Sequence, residues 1–394
     1  MPDLDRDTAI ALARRGKDAW NAWAAENPGA GVDFSGATLE GISFAEFQFP
    51  GSANFARVAF SNEADFTGVT FSKEANFTGA RFSAKAYLVR VTFCSSADFA
   101  EVEFYDRAFF TQSTVSAGAD FGRAIFYAEA DFPKVTFSAR ADFIEAKFSK
   151  SVNFAGGSFT LWVRFDKASF HDEVDFSGWK FNGPAYFRGA FFSRVPIFHG
   201  AFIHQGTEFG DIDKTFTDFQ SDEAEHRYRT LKLAMGQYQA RTEEAAFAAL
   251  ELKARRYLFM QEAKTRPFWK RIPLWSDCLG YWLWEKCSKS GRGFLRPLTS
   301  YLLSWGAFAA SYVLPCQGWR GDWWAGIHYA FLKQFPFAAA FRGGTNYFSN
   351  LEQALFAATP LPGWVTALNS LQSLIALTLI FLMGLGIRHK FRLR

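Results

Sequence analysis

Between residues 34 and 209, phenylalanine recurs on a period that belongs to neither a helix nor a strand. One series stands at Phe55, Phe66, Phe77, Phe99, Phe110, Phe121, Phe132, Phe143, Phe154, Phe165, Phe176, Phe187 and Phe198, with Leu88 in its one gap. A second, offset by five, runs Phe60, Phe71, Phe82, Phe93, Phe104, Phe126, Phe137, Phe148, Phe159, Phe170, Phe181 and Phe192, with Val115 in its gap. Each series steps by eleven, so a large apolar residue returns alternately after five and six positions. Periods of 3.6 and 2 do not fit this spacing, which excludes one long helix or one flat strand. Two positions before almost every ring sits a small side chain, as at Ala53, Val58, Ala64, Val69, Ala75 and Ala80. Such a pattern predicts a solenoid whose coils bury their faces only against neighbouring coils. Directly before the rings stand Asp65, Asn76, Asp98, Asp120, Asp131, Asp142, Asn153 and Asp175. Asp and Asn suit corners because their side chains bond nearby backbone N–H groups. Very short strands are predicted, stacked ~4.8 Å apart, with the rings in two interior ladders of offset aromatics.

The units Ala53-Asn54-Phe55, Ala64-Asp65-Phe66, Ala75-Asn76-Phe77 and Ala141-Asp142-Phe143 resemble the pentapeptide-repeat proteins, in a Phe-centred version with alternating five- and six-residue steps. The resemblance covers residues 34–209 and implies a right-handed, four-sided β-helix. About a dozen eleven-residue units imply six to eight coils, a rod of roughly 30–40 Å. Departures fall at Tyr87-Leu88, Ala108-Phe109-Phe110, Val163-Arg164-Phe165 and after Pro196.

The flanks differ from the rod. Residues 1–30 read as a helix starting at Asp7 or Thr8 and carrying Ile10, Leu12, Ala13, Trp20 and Trp23, and not as a secretory signal. It is expected to cap the first coil of a β-helix spanning 31–210, whose open end exposes strand edges; a membrane-surface role is the alternative. Residues 211–265 form a helical linker, in which Phe247, Leu250, Ala254, Tyr257 and Leu258 share a face and Gly236 and Thr242 divide two helices. Glu243 and Glu244 read as a solvated first turn. Residues 266–297 interleave Trp269, Trp275, Tyr281, Trp282 and Trp284 with Lys270, Arg271, Lys286, Lys289, Arg292 and Arg296. That composition suits the lipid headgroup zone, and also single-stranded nucleic acid; the hydrophobic stretch that follows favours lipid.

Residues 298–314 and 364–387 are uncharged stretches of 17 and 24 residues, long enough for spanning helices at ~20 residues each. Lys286, Lys289, Arg292 and Arg296 precede the first; Arg388, Lys390, Arg392 and Arg394 follow the second. Both basic flanks are placed in the cytoplasm, which makes a two-span membrane domain over 298–394 with both termini inside. Between the spans, residues 323–341 carry His328, Lys333, Gln334 and Pro336 and read as an interfacial or re-entrant segment, since a mid-bilayer Lys costs roughly 2.5–3.5 kcal/mol. Ser349-Asn350-Leu351-Glu352 is a capping box for a pore-helix-like segment, 351–358, ending in the turn Thr359-Pro360-Leu361-Pro362-Gly363.

This order resembles the two-span pore module of cation channels, and bacterial pentapeptide-repeat proteins with a channel-like C-terminal part show similar stretches at Gly291–Leu298 and Gly384–Arg392. The resemblance implies a homo-oligomer, a tetramer, in the bacterial inner membrane. The T-x-G-Y-G filter is absent, and Pro360 and Pro362 withdraw backbone N–H groups, so potassium selectivity does not carry over. Asn369, Gln372, Ser373 and Ala376 share one face of the second span, either as interhelical hydrogen bonds or as a pore lining.

Composition narrows the function. Residues 51–210 hold 16 Lys/Arg and 17 Asp/Glu, so the rod lacks the strong negative field that imitation of DNA and topoisomerase binding require. The four cysteines, at 94, 278, 287 and 316, show no paired spacing and read as free thiols. The six histidines are scattered, and no Walker loop, GxGxxG or G-x-S-x-G is present. No enzymatic activity, cofactor, metal or nucleic-acid partner is expected. The sequence points to a non-enzymatic membrane protein with a channel-like pore and a cytosolic repeat domain. Its expected partners are the bilayer and a cytosolic protein bound to the solenoid; a membrane-tethered scaffold without conductance is the alternative.

Overall fold

The computed structural model describes residues 3–238, 240–265, 295–317, 323–334, 352–353, 355–356 and 363–392. The chain divides into two compact units, Met1–Leu258 and Phe259–Arg394.

In the first unit, strands of two residues each run from Val32–Asp33 to Phe191–Phe192. They build four parallel sheets of eight, six, seven and eight strands, the sides of a right-handed solenoid of about seven turns. Ala53 pairs with Ala75 and Asn54 with Asn76, so a coil consumes 22 residues, two of the eleven-residue steps. Each eleven-residue series therefore alternates between opposite sides, and the two series make four interior ladders where two are expected. Phe55 stacks on Phe77 at 4.8 Å with ring planes 2° apart, and Phe66, half a coil along, meets Phe77 edge-on at 5.5 Å and 84°. The repeat-core rings Phe60, Phe71, Phe82, Phe99, Phe121, Phe132, Phe143, Phe154, Phe165 and Phe176 are likewise buried. Rings parallel along the axis and perpendicular across it both suit the aromatic quadrupole.

Sequence chemistry sets each corner. Val58 N–H donates to Phe55 O, closing a turn whose third residue, Arg57, has φ 55°. The equivalent positions are either glycine, as at Gly68 and Gly79, or a left-handed Glu, Arg, Gln or Lys, as at Glu101 and Lys134. Asx bonds tie the other side: Asp65 Oδ1 accepts Thr67 N–H and Asn76 Oδ1 accepts Thr78 N–H, both at 2.9 Å. Asp131 cannot follow suit, because Pro133 has no N–H to give; its carboxylate takes Arg107 instead.

Both ends are covered. Asp5 caps helix α1 (Arg6–Ala13) by accepting Thr8 N–H, and α2 (Lys17–Glu26) follows a break at Gly16, φ 87°; the single expected helix is thus two. Trp20 is fully buried and stacks on Phe47 at 5.1 Å, while its indole N–H and Asn21 Oδ1 bond the carbonyl and amide of Gln48. These bonds satisfy backbone groups that an open sheet edge leaves bare. At the far end Phe216 stacks on Phe192 at 5.4 Å, after a short helix α3 (Ile212–Thr215). Helices α4 (Ala224–Gln237) and α5 (Arg241–Thr265) then close the stack. Phe247 of α5 lies edge-on to Phe209 and Phe216, 5.3 Å from each. The region that reads as a linker is packed into the solenoid core.

In the second unit, helices α6 (Leu295–Gln317), α7 (Trp323–Gln334) and α8 (Gly363–Arg392) pack together. A Cβ on Gly326 of α7 would lie 2.1 Å from Val313 Cγ2 of α6, so glycine sets that close approach. Among the described residues one helix, over Gly363–Gly384, is long and apolar enough to cross a membrane. Helix α6 covers the first expected span without reaching that standard. The aromatic and basic segment through residue 294, most of 335–362 with the turn Thr359, Pro360, Leu361 and Pro362, and the side chains beyond Gly384 lie outside the described residues.

Gly157 tests the stacking. Trp179 occupies a position that holds Ala, Val or Ser on most coils, and a Cβ on Gly157 would lie 2.1 Å from its ring and 2.4 Å from the Val135 carbonyl oxygen. Gly157→Ala is expected to cost about 1–3 kcal/mol or more by overpacking, with part of the loss recovered when Trp179→Val is added. Gly79→Ala meets nothing closer than the flexible Arg57 side chain at 3.6 Å and should cost only the left-handed penalty, about 1–2 kcal/mol. Thermal unfolding of the variants checks the order.

Candidate functional site

The outward residues of the eight-stranded side that begins at Val32 form one row. It reads Asp33, Asn54, Asn76, Asp98, Asp120, Asp142, Arg164 and Tyr186 on successive coils. Asp98, Asp120 and Asp142 line a groove of about 570 Å³ with Arg140, Leu161 and Trp162 at its rim. Asp142 pairs with Arg164, whose guanidinium also lies 4.9 Å over the Trp162 ring. Asp98 and Asp120 accept only backbone N–H groups, from Ala100 and Gly122. Partial burial raises the pKa of Asp120, and the neighbouring carboxylates Asp98 and Asp142 add to the rise against the Gly122 amide.

Elsewhere the coils compensate their charges. Arg123 meets Glu101 at 2.6 Å, Arg81 meets Glu103 at 3.0 Å and Lys167 meets Glu145 at 3.3 Å, each pair one coil apart. Such exposed pairs contribute about 0–1 kcal/mol each. A second outward feature is aromatic: Tyr87 stacks on Phe109 at 5.2 Å and Tyr105 on Tyr127 at 4.9 Å, with Arg107 over Phe109. The irregular units at 87 and 108–110 thus place rings on the outside of an Asp/Asn row. Among the described residues no group of three or more His, Cys, Asp or Glu is placed to hold a metal ion, and Cys94 is an exposed free thiol.

In the helical unit the predicted polar face becomes part of a buried network. Gln372 is fully buried; its amide N–H groups donate to Ala330 O at 2.8 Å and Gln334 Oε1 at 3.1 Å. The Tyr312 hydroxyl lies 2.7 Å from Gln372 Oε1 and 2.9 Å from Asn369 Oδ1. Asn369 donates to the Tyr329 hydroxyl at 2.8 Å, which donates on to Glu352 at 3.1 Å. Gln334 donates to Ser304 Oγ, and Tyr301 donates to Gln334 O. Ser373 bonds its own helix through Asn369 O, Ala376 is buried in the cluster holding Tyr301, and Gly363 begins α8. Sequence reasoning names Gln334 only as a polar residue of 323–341 and misses the partners Tyr301, Tyr312 and Tyr329, although each is a polar group within an apolar run.

Two outcomes test this geometry. Asp120→Asn keeps the Gly122 bond, as Asn does at positions 54, 76 and 153, and removes a like charge worth about 0.2–1 kcal/mol. A folded-state pKa above the unfolded value means that the charged form costs stability. The variant should therefore melt higher at pH 7, and its advantage should vanish as pH falls through the folded pKa. Gln372→Leu removes the donor to Gln334 Oε1 and an acceptor for the Tyr312 hydroxyl and should cost about 1–3 kcal/mol, while Ser370→Ala, exposed and bonded to its own helix, should be near neutral.

No curated protein and no solved structure matches the chain. Residues 44–92, 132–178 and 165–213 match the family model described as pentapeptide repeats (9 copies). Together with the 22-residue coils and the Asx-tied corners that run through and beyond those stretches, the match identifies the solenoid of this chain as a pentapeptide-repeat domain.

Proposed function

We propose that this chain is a non-enzymatic membrane protein of the bacterial inner membrane, with the helical unit in the bilayer, both termini in the cytoplasm and the solenoid as a cytosolic rod for protein interaction. One observation carries the reading: helix α8 turns large apolar side chains outward while burying the amide of Gln372, and its exposed Ser370 and Thr378 hydroxyls are bonded to carbonyls of their own helix. Leu374 is 64% and Phe381 65% exposed, whereas Gln372 is fully buried. Water disfavours that arrangement and hydrocarbon favours it. Trp323, Trp324 and Trp364 are also exposed, the residue type found at membrane interfaces. On this reading α6 is the first span, despite its Ser, Thr and Tyr content, and α7 is a short segment lodged beside it. Lys333 approaches Glu352 at 3.8 Å and lies over the Tyr329 ring, which lowers the cost of its charge.

An oligomeric, conducting form of this reading is favoured by a stripe on α8. Ala367, Ser370, Leu374, Leu377 and Phe381 are all exposed at the 3-4 spacing that a neighbouring helix covers. Asn369 and Gln372 are already bonded within the chain, so a conducting path would rely on residues 357–363, and the scaffold reading needs no path at all.

The chain should stay with membranes through an alkaline carbonate wash, and a tag at Arg394 should be protected from external protease in intact cells. Leu374→Arg should reduce the membrane-integrated fraction, because a mid-span arginine costs roughly 2.5–3.5 kcal/mol. Recovery of the wild-type chain in the detergent-free soluble fraction would refute the reading. Ionic current from purified protein in planar bilayers separates the conducting form from the scaffold.

A further inference from the structure

The N-terminal end of the acidic side carries a second recess, of opposite chemistry. It measures about 520 Å³ and is lined by Arg6 and Arg57 together with Ser35, Gly36, Asn76 and Thr78. Arg57 occupies the left-handed corner position, φ 55°, and backbone pairing places Gly36 and Gly79 at that corner on the coils either side. Absent side chains on both neighbours open the space around its guanidinium. Arg6 comes from the first turn of α1, and its Nη2 lies 3.9 Å from where a Cβ on Gly36 would stand. Two arginines from separate elements thus line one recess.

Neither arginine has an ion pair among the described residues, although charges at the matching corners of later coils do pair: Arg123 with Glu101 and Lys167 with Glu145. The nearby carboxylate Asp33 makes no ion pair with either arginine; its Oδ1 accepts Ser35 N–H at 2.8 Å and Asn54 Nδ2 at 3.0 Å. The Asn76 amide oxygen is used by Thr78 N–H, which leaves its NH₂ group as a donor. The recess therefore offers two guanidinium forks, an amide NH₂ and the hydroxyls of Ser35 and Thr78. Arginine forks match the geometry of phosphate oxygens, and this many donors exceeds what one carboxylate accepts. The volume lies within the range of small-molecule sites, ~300–1,000 Å³.

We propose that this recess binds a phosphomonoester, with Arg6 and Arg57 clamping the phosphate and Ser35 and Thr78 completing its hydrogen bonds. The proposal concerns the solenoid unit and does not depend on how the helical unit meets the membrane. Calorimetric titration of the full-length chain in a neutral detergent, at fixed ionic strength, uses inorganic phosphate, glycerol 3-phosphate and a short-chain phosphatidic acid as probes. Saturable binding is expected, weakened about tenfold by Arg6→Gln or Arg57→Gln, the loss of one charge-assisted bond. It should be unchanged in Arg90→Gln, a left-handed corner residue outside the recess. Binding of the soluble phosphates assigns a free metabolite as the source, and binding of phosphatidic acid alone assigns a lipid headgroup. Absence of saturable binding of all three up to about 10 mM, where the binding energy is below ~3 kcal/mol, or undiminished binding in Arg57→Gln with an unchanged melting temperature, would overturn the proposal.

Discussion

The solenoid depends on a coincidence of two distances. Hydrogen-bonded strands sit about 4.8 Å apart, and parallel aromatic rings are comfortable at about 4.5–5 Å. A coil of 22 residues returns each side chain to a point above its predecessor. The backbone ladder and the ring stack are thus satisfied by the same translation: Phe121 lies 4.8 Å from Phe143, and Phe126 lies 4.7 Å from Phe148. Sequence defects are absorbed on the same terms. Leu88 stands between Phe66 and Phe110, and Val115 between Phe93 and Phe137, and all remain buried. Trp179 is accommodated because the coil beneath it carries Gly157. A stack also has two ends, which explains why Trp20 at one end and Phe216 with Phe247 at the other continue the aromatic packing with helical residues.

The translation that stacks rings also stacks charges. Where successive coils alternate in sign, the solenoid gains modest ion pairs; where they repeat, it accumulates repulsion. Asp98, Asp120 and Asp142 repeat, and only the last is neutralised, by Arg164. The C-terminal cap treats charge differently. Arg227 is nearly buried and is held by Glu173, Glu223 and Val195 O. Glu251, also buried, is taken by Arg229 at 2.8 Å and Lys232 at 2.5 Å. Burial alone would raise the pKa of Glu251, but these two cations hold it below the ordinary value. Paired charge inside the cap and unpaired charge on the rod surface make the surface the place to look for ligands.

The helical unit joins its buried polar groups to one another. Its amides and phenols are joined to one another from Ser304 through Gln334, Gln372, Tyr312, Asn369 and Tyr329 to Glu352, while Leu303, Leu374, Trp324 and Phe381 face outward. A buried amide without partners is costly, so a fully joined network of this kind favours one packing of the three helices over others.

The fold of the rod was legible because its information is local and repeated. The eleven-residue step, the small residue before each ring and the Asx corner at Asp65 or Asn76 each recur often enough to identify the solenoid without any long-range contact. Two helices with an acidic first turn at Glu243 and Glu244 were legible for the same reason, although the break falls between Gln237 and Arg241, with Gly236 and Thr242 inside the helices on either side. What the sequence could not supply was closure. Four sides and six to eight coils follow from the resemblance, but the two ladders expected from the spacing do not hold: the assembled structure puts Phe55 over Phe77 and beside Phe66, giving four. Whether residues 224–258 were a linker or a lid depended on the exposed end of the last coil, which no local pattern announces. Asn369 and Gln372 could be read as a face, but their partners Tyr312, Tyr329 and Gln334 lie 38 to 60 residues away. Bringing Arg6 and Arg57 to the same recess likewise required a helix folded back over the first coils. Local periodicity sets the secondary structure and the buried set; the pairing of distant polar groups is a property of the packed chain, because it depends on which surfaces packing leaves adjacent.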